Sequence, residues 1–329
     1  MEMRESDDIR HAALASEASG QRGKSIVRAH SASEDKRAET PVFAGWCRER
    51  ADDTRPEPGS SAHAWDKVAP GYDEFVTPTY FGLGAEVLGR AGLRPGMRLL
   101  DVAAGSGAVS LAAARLGADV TAVDISPVMV ERLKVRARQE GLKLEARVMD
   151  GHALDLEDDS FDMVASEFGV MLFPDLPRGL REMARVAKPG GRVVVVAFGS
   201  PTKIEFLGFF IRAIRAAVPD FAGPPLEPPP LPFQVQDPEK LRREMVTAGL
   251  KDVRVEETSE EMRYQSGKQF WDWVMSSNPV AGMMLDQLDL KQDQIAVIQR
   301  AADGLIRERA AGTGTAVLIS PINIGIGAK

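Results

Sequence analysis

Cysteine is nearly absent from this sequence, which has Cys47 as its one thiol in 329 residues. A single cysteine cannot close an intramolecular disulfide and cannot build a cysteine metal site. A disulfide-stabilised secreted fold and a thiol-ligated metal are therefore excluded, and no metal is predicted. The lone thiol fits a reducing compartment, so we expect a cytoplasmic protein.

An excess of positive charge and long hydrophobic runs are also lacking. The chain carries 41 Lys and Arg against 48 Asp and Glu, a net charge of −7 at pH 7. It therefore has no basic surplus with which to bind a phosphate backbone. No run approaches the roughly 18 apolar residues that span a bilayer, and the N-terminus lacks the hydrophobic region of a signal peptide. We predict a soluble protein with no nucleic-acid partner and no integral membrane contact.

Aliphatic residues are sparse in residues 1–61, where mixed charge, Ser, Ala, Gly and Arg dominate. Such a segment cannot bury enough apolar surface to offset its ordering entropy, so we predict a disordered tail. Residues 62–329 are expected to form one globular domain. Apolar side chains recur at helical spacing from Trp65 to Phe75, and Pro70-Gly71 is expected to interrupt any helix there.

The most informative stretch of the chain is residues 98–126. It contains an apolar run at 99–103, a small-residue turn at 104–107, a helical segment at 108–116 and a second apolar run at 120–125. Strand, turn, helix and strand in this order predict a nucleotide-type βαβ unit. Its ligand is expected at the carboxyl ends of the strands.

The details of the turn disfavour a dinucleotide. The pattern G-x-G-x-x-G needs three glycines, but the frame that starts at Gly105 has Ser110 in the third position. Asp101, near the end of the first predicted strand, would face an anionic pyrophosphate, whereas it suits a cationic amine. An NAD-dependent oxidoreductase is therefore only a minor alternative.

Strands and helices continue to alternate beyond this unit. We predict helices over residues 126–139 and 180–187, and strands over 144–149, 161–166 and 192–198. This alternation predicts an α/β fold whose parallel sheet is covered by helices on both faces.

The segment Asp101–Gly107, DVAAGSG, resembles the first motif of class I S-adenosylmethionine (SAM)-dependent methyltransferases. Ala103 stands where this family usually has its first glycine. Three later segments match the family's later motifs in order and spacing: Asp150-Gly151-His152, Ser160-Phe161-Asp162 and residues 186–191.

The resemblance covers residues 65–198 well and the remainder loosely. Residues 168–175, FGVMLFPD, with KPGGR at 188–192, resemble the methyltransferase type 11 branch, which includes the ubiquinone and menaquinone C-methyltransferases. This branch implies a Rossmann-like, seven-stranded, mostly parallel sheet with a helical cap inserted before the last strands.

The resemblance also implies how the chain ends. A final antiparallel pair, 253–255 with 316–319, is expected to complete the sheet, with cap helices inserted between these two strands. The cap is expected within residues 200–310. Its many aromatic and Met side chains suggest an apolar acceptor, although most of them could simply form the cap's own core.

The family motifs imply a SAM site with a partner for each part of the cofactor. Asp101 suits the methionine ammonium, Asp124 the two ribose hydroxyls and Asp150 the adenine amino group. Small residues in the turn let the backbone approach the ligand. The full set of implied cofactor-binding residues is Tyr72, Asp101, Ala103, Gly105, Ser106, Gly107, Asp124, Ile125, Asp150, Gly151, His152 and Glu167.

Catalysis places a small demand on the side chains because the sulfonium is already an activated methyl donor. Glu167 is the candidate catalytic residue, since it follows the fourth predicted strand where the methyl faces its acceptor. A solvent-exposed carboxylate or a contact to the SAM ammonium are the alternatives for Glu167. His152 is disfavoured as a general base, because its position by resemblance is beside the adenine.

The partner implied is an apolar or aromatic small molecule that accepts the methyl group on oxygen, nitrogen or carbon, and a homodimer is possible. The alternative from another functional class is a SAM-binding or regulatory protein of the same fold that does not turn over.

Overall fold

The computed structural model describes residues 58–224 and 228–329. The tail predicted over residues 1–61 lies outside the described residues, except that residues 58–61 begin the first helix.

The described residues form one sheet of seven strands. The strands are β1 (Arg98–Val102), β2 (Asp119–Asp124), β3 (Glu145–Val148), β4 (Phe161–Glu167), β5 (Ala187–Phe198), β6 (Lys251–Tyr264) and β7 (Ala316–Ala328). Their order is β3-β2-β1-β4-β5-β7-β6. The first five strands run parallel, and β7 is antiparallel to both of its neighbours. The predicted Rossmann-like, mostly parallel sheet is confirmed.

Helices occupy most of the connections. They are α1 (Pro58–Gly71), α2 (Thr77–Arg90), α3 (Ala108–Arg115), α4 (Pro127–Gln139), α5 (Leu176–Val186), α6 (Glu205–Arg215), α7 (Pro238–Thr247), α8 (Gly267–Ser277), α9 (Pro279–Gln287) and α10 (Gln292–Arg309). The start of α4 follows the sequence signal, since Ser126 Oγ accepts a 3.1 Å hydrogen bond from the Met129 amide and Pro127 takes the first helical position. None of the described helices is long and apolar enough to cross a membrane.

The interruption expected at Pro70-Gly71 is wrong. Pro70 lies inside α1, and Gly71 leads directly into a π-helical turn, Tyr72–Val76, which is followed by α2. Proline removes one backbone donor and crowds the preceding turn. The wider π turn after it keeps the chain helical, and such turns are frequent at functional sites.

The final antiparallel pair is present, but its predicted register is wrong. β6 pairs with β7 along its whole length, with Val255 opposite Gly325 and Tyr264 opposite Ala316. Residues 253–255 therefore do not face residues 316–319. β6 extends far beyond residues 253–255, which indicated it, because many residues of this edge strand are exposed and charged and show no apolar pattern.

Helices α6, α8, α9 and α10, which we call the cap, follow the parallel part of the sheet. The last three lie between β6 and β7, as expected, whereas α6 precedes β6. At one crossing the α8 backbone meets α10 directly. The Gly267 amide donates to Asp303 Oδ1 at 3.1 Å, and a Cβ on Gly267 would lie 2.1 Å from Asp303 Cα.

We predict that Gly267→Ala lowers the free energy of unfolding by about 1–3 kcal/mol, because the added methyl overpacks a helix crossing. Gly304→Ala is the matched control in the same pair of helices, since a Cβ there meets no atom within 4 Å. This control is expected to stabilise the protein by up to about 1 kcal/mol through helix propensity. Urea unfolding measures both, and equal effects of the two substitutions would contradict the close crossing.

Candidate active site

A cavity lies at the carboxyl ends of β1 to β4, where a ligand of such a sheet is expected. Its empty volume is about 810 Å³, open solvent at its mouth included. We call it the polar cavity. It is lined by Trp65, Tyr72, Ala103, Gly105, Asp124, Ile125, Met129, Met149, Asp150, Gly151, His152, Glu167, Phe168, Gly169, Leu172, Phe173 and Pro174.

Most of the residues predicted to bind the cofactor meet around the polar cavity. Three of them do not line it: Asp101, Ser106 and Gly107. Ser106 is fully buried, and its hydroxyl bonds to that of Thr77 at 2.5 Å. Asp101 lies on a small adjoining cavity together with Tyr72 and Glu167.

Asp124 joins the two loops that border the polar cavity. Its Oδ2 accepts from the Gly105 amide at 2.8 Å, and its Oδ1 accepts from the Ser126 amide at 2.9 Å. Ser126 Oγ in turn donates to Asp66 in α1 at 2.6 Å. Burial is the main cause that raises the pKa of Asp124 to about 6, and the negative charge of Asp66 adds to it. The backbone hydrogen bonds from Ser126 and Gly105 act in the opposite direction, because they favour the ionised carboxylate.

Asp150 and His152, after β3, also line the polar cavity. Asp150 Oδ1 accepts from the His152 amide at 2.9 Å and contacts His152 Nδ1 at 2.8 Å. Burial works to raise the pKa of Asp150, but these hydrogen bonds outweigh it and lower the pKa. The His152 ring lies against the Phe173 ring, tilted by 34° with centroids 4.5 Å apart. A flat apolar surface and a carboxylate acceptor thus stand side by side.

Two non-glycine residues beside the polar cavity have left-handed backbone. Ala103 has a φ of 57° and Phe168 a φ of 55°. Glycine adopts this conformation readily, which explains why the family whose first motif residues 101–107 resemble usually has a glycine at the position of Ala103. Such strain is kept where the surrounding structure enforces it, often at a functional site. Here it keeps the Phe168 ring on the cavity wall.

Asp101 and Glu167 are buried carboxyl groups. Asp101 Oδ2 accepts from the Ser110 hydroxyl at 2.5 Å, so the serine that replaces the third glycine of a dinucleotide motif bonds to this carboxyl. Burial raises the pKa of Asp101 to about 7, against the opposing effect of the Ser110 hydrogen bonds. Burial, with the charges of Asp101 and Glu260, raises the pKa of Glu167 well above its ordinary value. Both Glu167 carboxylate oxygens are buried without a hydrogen-bond partner among the described residues.

A second cavity, which we call the apolar cavity, lies beneath the cap and has an empty volume of about 1060 Å³ with its open mouth included. Aromatic and aliphatic side chains form nearly all of its wall, among them Tyr80, Phe198, Phe206, Phe210, Phe233, Trp273 and Met284. Among its described lining residues there is no Lys, Arg, His, Asp or Glu.

The two cavities have a wall in common. Trp65, Tyr72, Phe168 and Leu172 line both of them. A neighbouring part of the apolar wall is fixed by the buried side chain of Gln234, whose Nε2 donates to the backbone oxygens of Met171 at 2.6 Å and Phe173 at 3.0 Å. A group bound at one side of this wall lies next to a group bound at the other.

The cap residues that suggested an apolar acceptor divide into two groups. Phe210, Phe233, Trp273 and Met284 line the apolar cavity. Phe209, Phe270, Trp271 and Met283 do not line it; for example, Phe270 is fully buried against Tyr264. The sequence did not indicate Trp65, Tyr80 and Phe173 as site residues. The available signal was that these aromatic residues lie near the motifs. Their spacing in the chain is that of core residues, however, so it does not distinguish a site residue from a core residue.

We predict that Glu167→Gln stabilises the free protein, and that the gain grows with pH. A carboxyl whose pKa is higher in the folded than in the unfolded state costs stability as pH rises from its unfolded pKa towards its folded pKa. An amide carries no such cost. Urea unfolding at about pH 5 and about pH 8 measures the change, with the exposed Glu261→Gln as control. A gain of equal size at both pH values would contradict the buried, unpaired state of Glu167.

Comparison with known proteins agrees with this geometry. Residues 100–195 match the family model described as "Methyltransferase domain". The chain is 38% identical over 172 residues to the demethylmenaquinone methyltransferase of Renibacterium salmoninarum, covering 50% of this chain and 70% of that protein. It is also 41% identical over 141 residues to an uncharacterised protein of Mycobacterium tuberculosis, covering 43% of this chain and 50% of that protein. The chain thus spans about half the length of this second relative.

Among solved structures, the chain resembles the YcgJ protein of Bacillus subtilis with 19% identity and a TM-score of 0.46, covering 76% of this chain and 98% of that one. The family assignment depends instead on the sequence relatives, of which the Renibacterium protein is matched over most of its length. Together with the strand order and the residues around the polar cavity, this match shows that the chain belongs to the class I SAM-dependent methyltransferases.

Proposed function

We propose that the protein transfers the methyl group of SAM from the polar cavity to an uncharged, apolar acceptor in the apolar cavity. The observation that carries this proposal is the common wall of the two cavities, formed by Trp65, Tyr72, Phe168 and Leu172. Because these residues line both cavities, the proposal places donor and acceptor in direct contact where the two cavities adjoin, with water excluded, which is the main requirement of a displacement at an activated methyl group.

The residues present fit SAM. The carboxylate of Asp124 already accepts two backbone hydrogen bonds, but each carboxylate oxygen has a second lone pair that a ribose hydroxyl can use. Asp150 and the neighbouring His152 and Phe173 rings fit adenine, which needs an acceptor for its amino group and a flat apolar surface. The unpartnered carboxylate of Glu167, with Asp101 behind it, fits the cationic end of the cofactor.

SAM supplies the activated methyl group, and the protein orients the cofactor and the acceptor and excludes water. Tyr72 packs across Gly105, where a Cβ would lie 3.4 Å from its ring, and forms a T-shaped contact with Trp65 at 6.1 Å. These two aromatic residues cover the cofactor from the side of α1. Two ion pairs hold this covering segment on α4, because Asp73 contacts both Arg132 and Arg136.

The lining of the apolar cavity defines the acceptor class. A phosphate, carboxylate or ammonium would be buried there without an opposite charge from any described lining residue, which is strongly unfavourable. Aromatic rings, by contrast, pack well against the phenylalanines and tryptophans of the wall. A hydroquinone or phenol with an apolar substituent meets these conditions. The relative that acts on demethylmenaquinone supports this choice.

We predict that Asp124→Asn weakens the binding of SAM and of S-adenosylhomocysteine by about 10- to 100-fold, because a charged acceptor of the ribose hydroxyls is lost. Asp119→Asn, which changes an exposed residue at the start of the same strand, should leave both affinities unchanged. Titration calorimetry measures these affinities, with NAD as the competing ligand class. Binding of NAD but not of SAM by the unmodified protein would overturn the cofactor assignment.

We also predict that naphthohydroquinones lacking a ring methyl are methylated, whereas phosphoethanolamine and glycine are not. The measurement is the acceptor-dependent formation of S-adenosylhomocysteine, followed by mass spectrometry of the acceptor. Phe206→Glu, which adds a charge to the apolar wall, should abolish the reaction and leave SAM affinity unchanged. Tight SAM binding without turnover on any apolar acceptor would favour a non-catalytic binding protein of the same fold.

A further inference from the structure

Glu167, the last residue of β4, is a buried carboxyl group without a protein partner. Neither carboxylate oxygen has a hydrogen bond among the described residues. The side chain borders the polar cavity and two small interior cavities, one shared with Asp101, Tyr72 and Tyr80, the other next to Gly84. Burying an unpaired polar group is costly, so a protein that keeps one at the edge of a ligand cavity indicates a ligand that pairs with it.

The groups that face Glu167 do not balance its charge. They are Asp101 at the end of β1, Tyr72 from the π turn, Tyr80 from α2 and Glu260 from β6. Each of these groups is an acid or a phenol, and burial combines with the acids to raise the pKa of Glu167. The carboxyl therefore favours its neutral form while the polar cavity is empty.

The position of Glu167 relative to the cofactor follows from the proposed function, on which this inference rests. The ribose and adenine partners, Asp124 and Asp150, occupy one part of the polar cavity. The methyl group has to meet the acceptor where the two cavities adjoin, beside Phe168 and Tyr72. Glu167 precedes Phe168 in the chain and lines the same cavity, so it stands at the sulfonium end of the bound cofactor.

We propose that the protonation state of Glu167 follows the charge on the cofactor's sulfur. Glu167 is neutral in the empty cavity, ionised beside the bound sulfonium, and neutral again once the methyl has been transferred. The proton released on binding goes to solvent. In the transfer, a lone pair of the acceptor forms the new bond to carbon, the electron pair of the broken carbon–sulfur bond stays on sulfur, and the acceptor's proton goes to Glu167.

The tyrosines give this proton a path. Tyr72 and Tyr80 line both the apolar cavity and the small cavity at Glu167. Neither phenol has a hydrogen-bond partner among the described residues. Among the described residues, these two tyrosines are thus the polar side chains that border both the apolar cavity and the small cavity at the carboxyl. The positive charge of the donor and the negative charge of Glu167 appear together and disappear together, so neither of these two charges is buried alone.

The test compares proton release on binding SAM and on binding S-adenosylhomocysteine. The two ligands share the ammonium, carboxylate, ribose and adenine, and differ only in the methyl group and the positive charge on sulfur. Calorimetry near pH 7 in two buffers of different ionisation enthalpy gives the number of protons released. We expect the unmodified protein to release up to about one proton more with SAM than with S-adenosylhomocysteine.

Two variants identify the carboxyl involved. Glu167→Gln should abolish the difference between the two ligands. Asp101→Asn should preserve it, while reducing any release that both ligands have in common through their ammonium. If a variant fails to fold, equal proton release by the two ligands in the unmodified protein still overturns the proposal.

The outcomes separate this inference from the proposed function. Equal proton release by both ligands overturns the proposal, and if that release disappears in Glu167→Gln, the carboxyl pairs with the ammonium instead. Failure of both ligands to bind contradicts the proposed function itself.

Discussion

The site depends on one carboxylate, Asp124, which fixes two loops relative to each other. Its oxygens accept from the Gly105 amide at 2.8 Å and the Ser126 amide at 2.9 Å, so the turn after β1 and the end of β2 have a common anchor. Ser126 connects this anchor to two helices, because its hydroxyl caps α4 and donates a hydrogen bond to Asp66 in α1. The segment that carries Trp65 and Tyr72 is therefore positioned by the same network that shapes the floor of the polar cavity.

The second constraint is electrostatic, and it opposes stability. Asp101 and Glu167 are buried near each other, and burial raises the pKa of both carboxyl groups. A structure selected for stability alone would pair them with cations or replace them with apolar groups. A cationic ligand that pairs with these carboxyl groups removes the cost of burying them alone, and this gain contributes to its binding free energy. The neighbouring apolar cavity, by contrast, has no charged side chain among its described lining residues. The positive charge of the donor is therefore favoured in the polar cavity and disfavoured in the apolar cavity.

The sequence predicted what depends on local patterns and missed what depends on distant contacts. The turn at Ala103–Gly107 with Asp124 at the end of the next strand was predictable, because strand, turn and helix signals are adjacent in the chain. The register of β6 was not, since most of this edge strand is exposed and polar, and its pairing with β7 is set in three dimensions. The place of Asp101 on the small adjoining cavity, where Ser110 donates to its carboxyl, was not indicated by any local pattern. Phe206 and Trp273 belong to different elements, and no sequence spacing indicates that they share a wall.

The most direct test of the account is a crystal structure of the protein with S-adenosylhomocysteine bound. We expect the ribose hydroxyls on Asp124, the adenine between Asp150 and the Phe173 ring, and the sulfur beside Tyr72 and Phe168, facing the apolar cavity. A nucleoside bound inside the apolar cavity, or a sulfur that points away from the common wall, would contradict it.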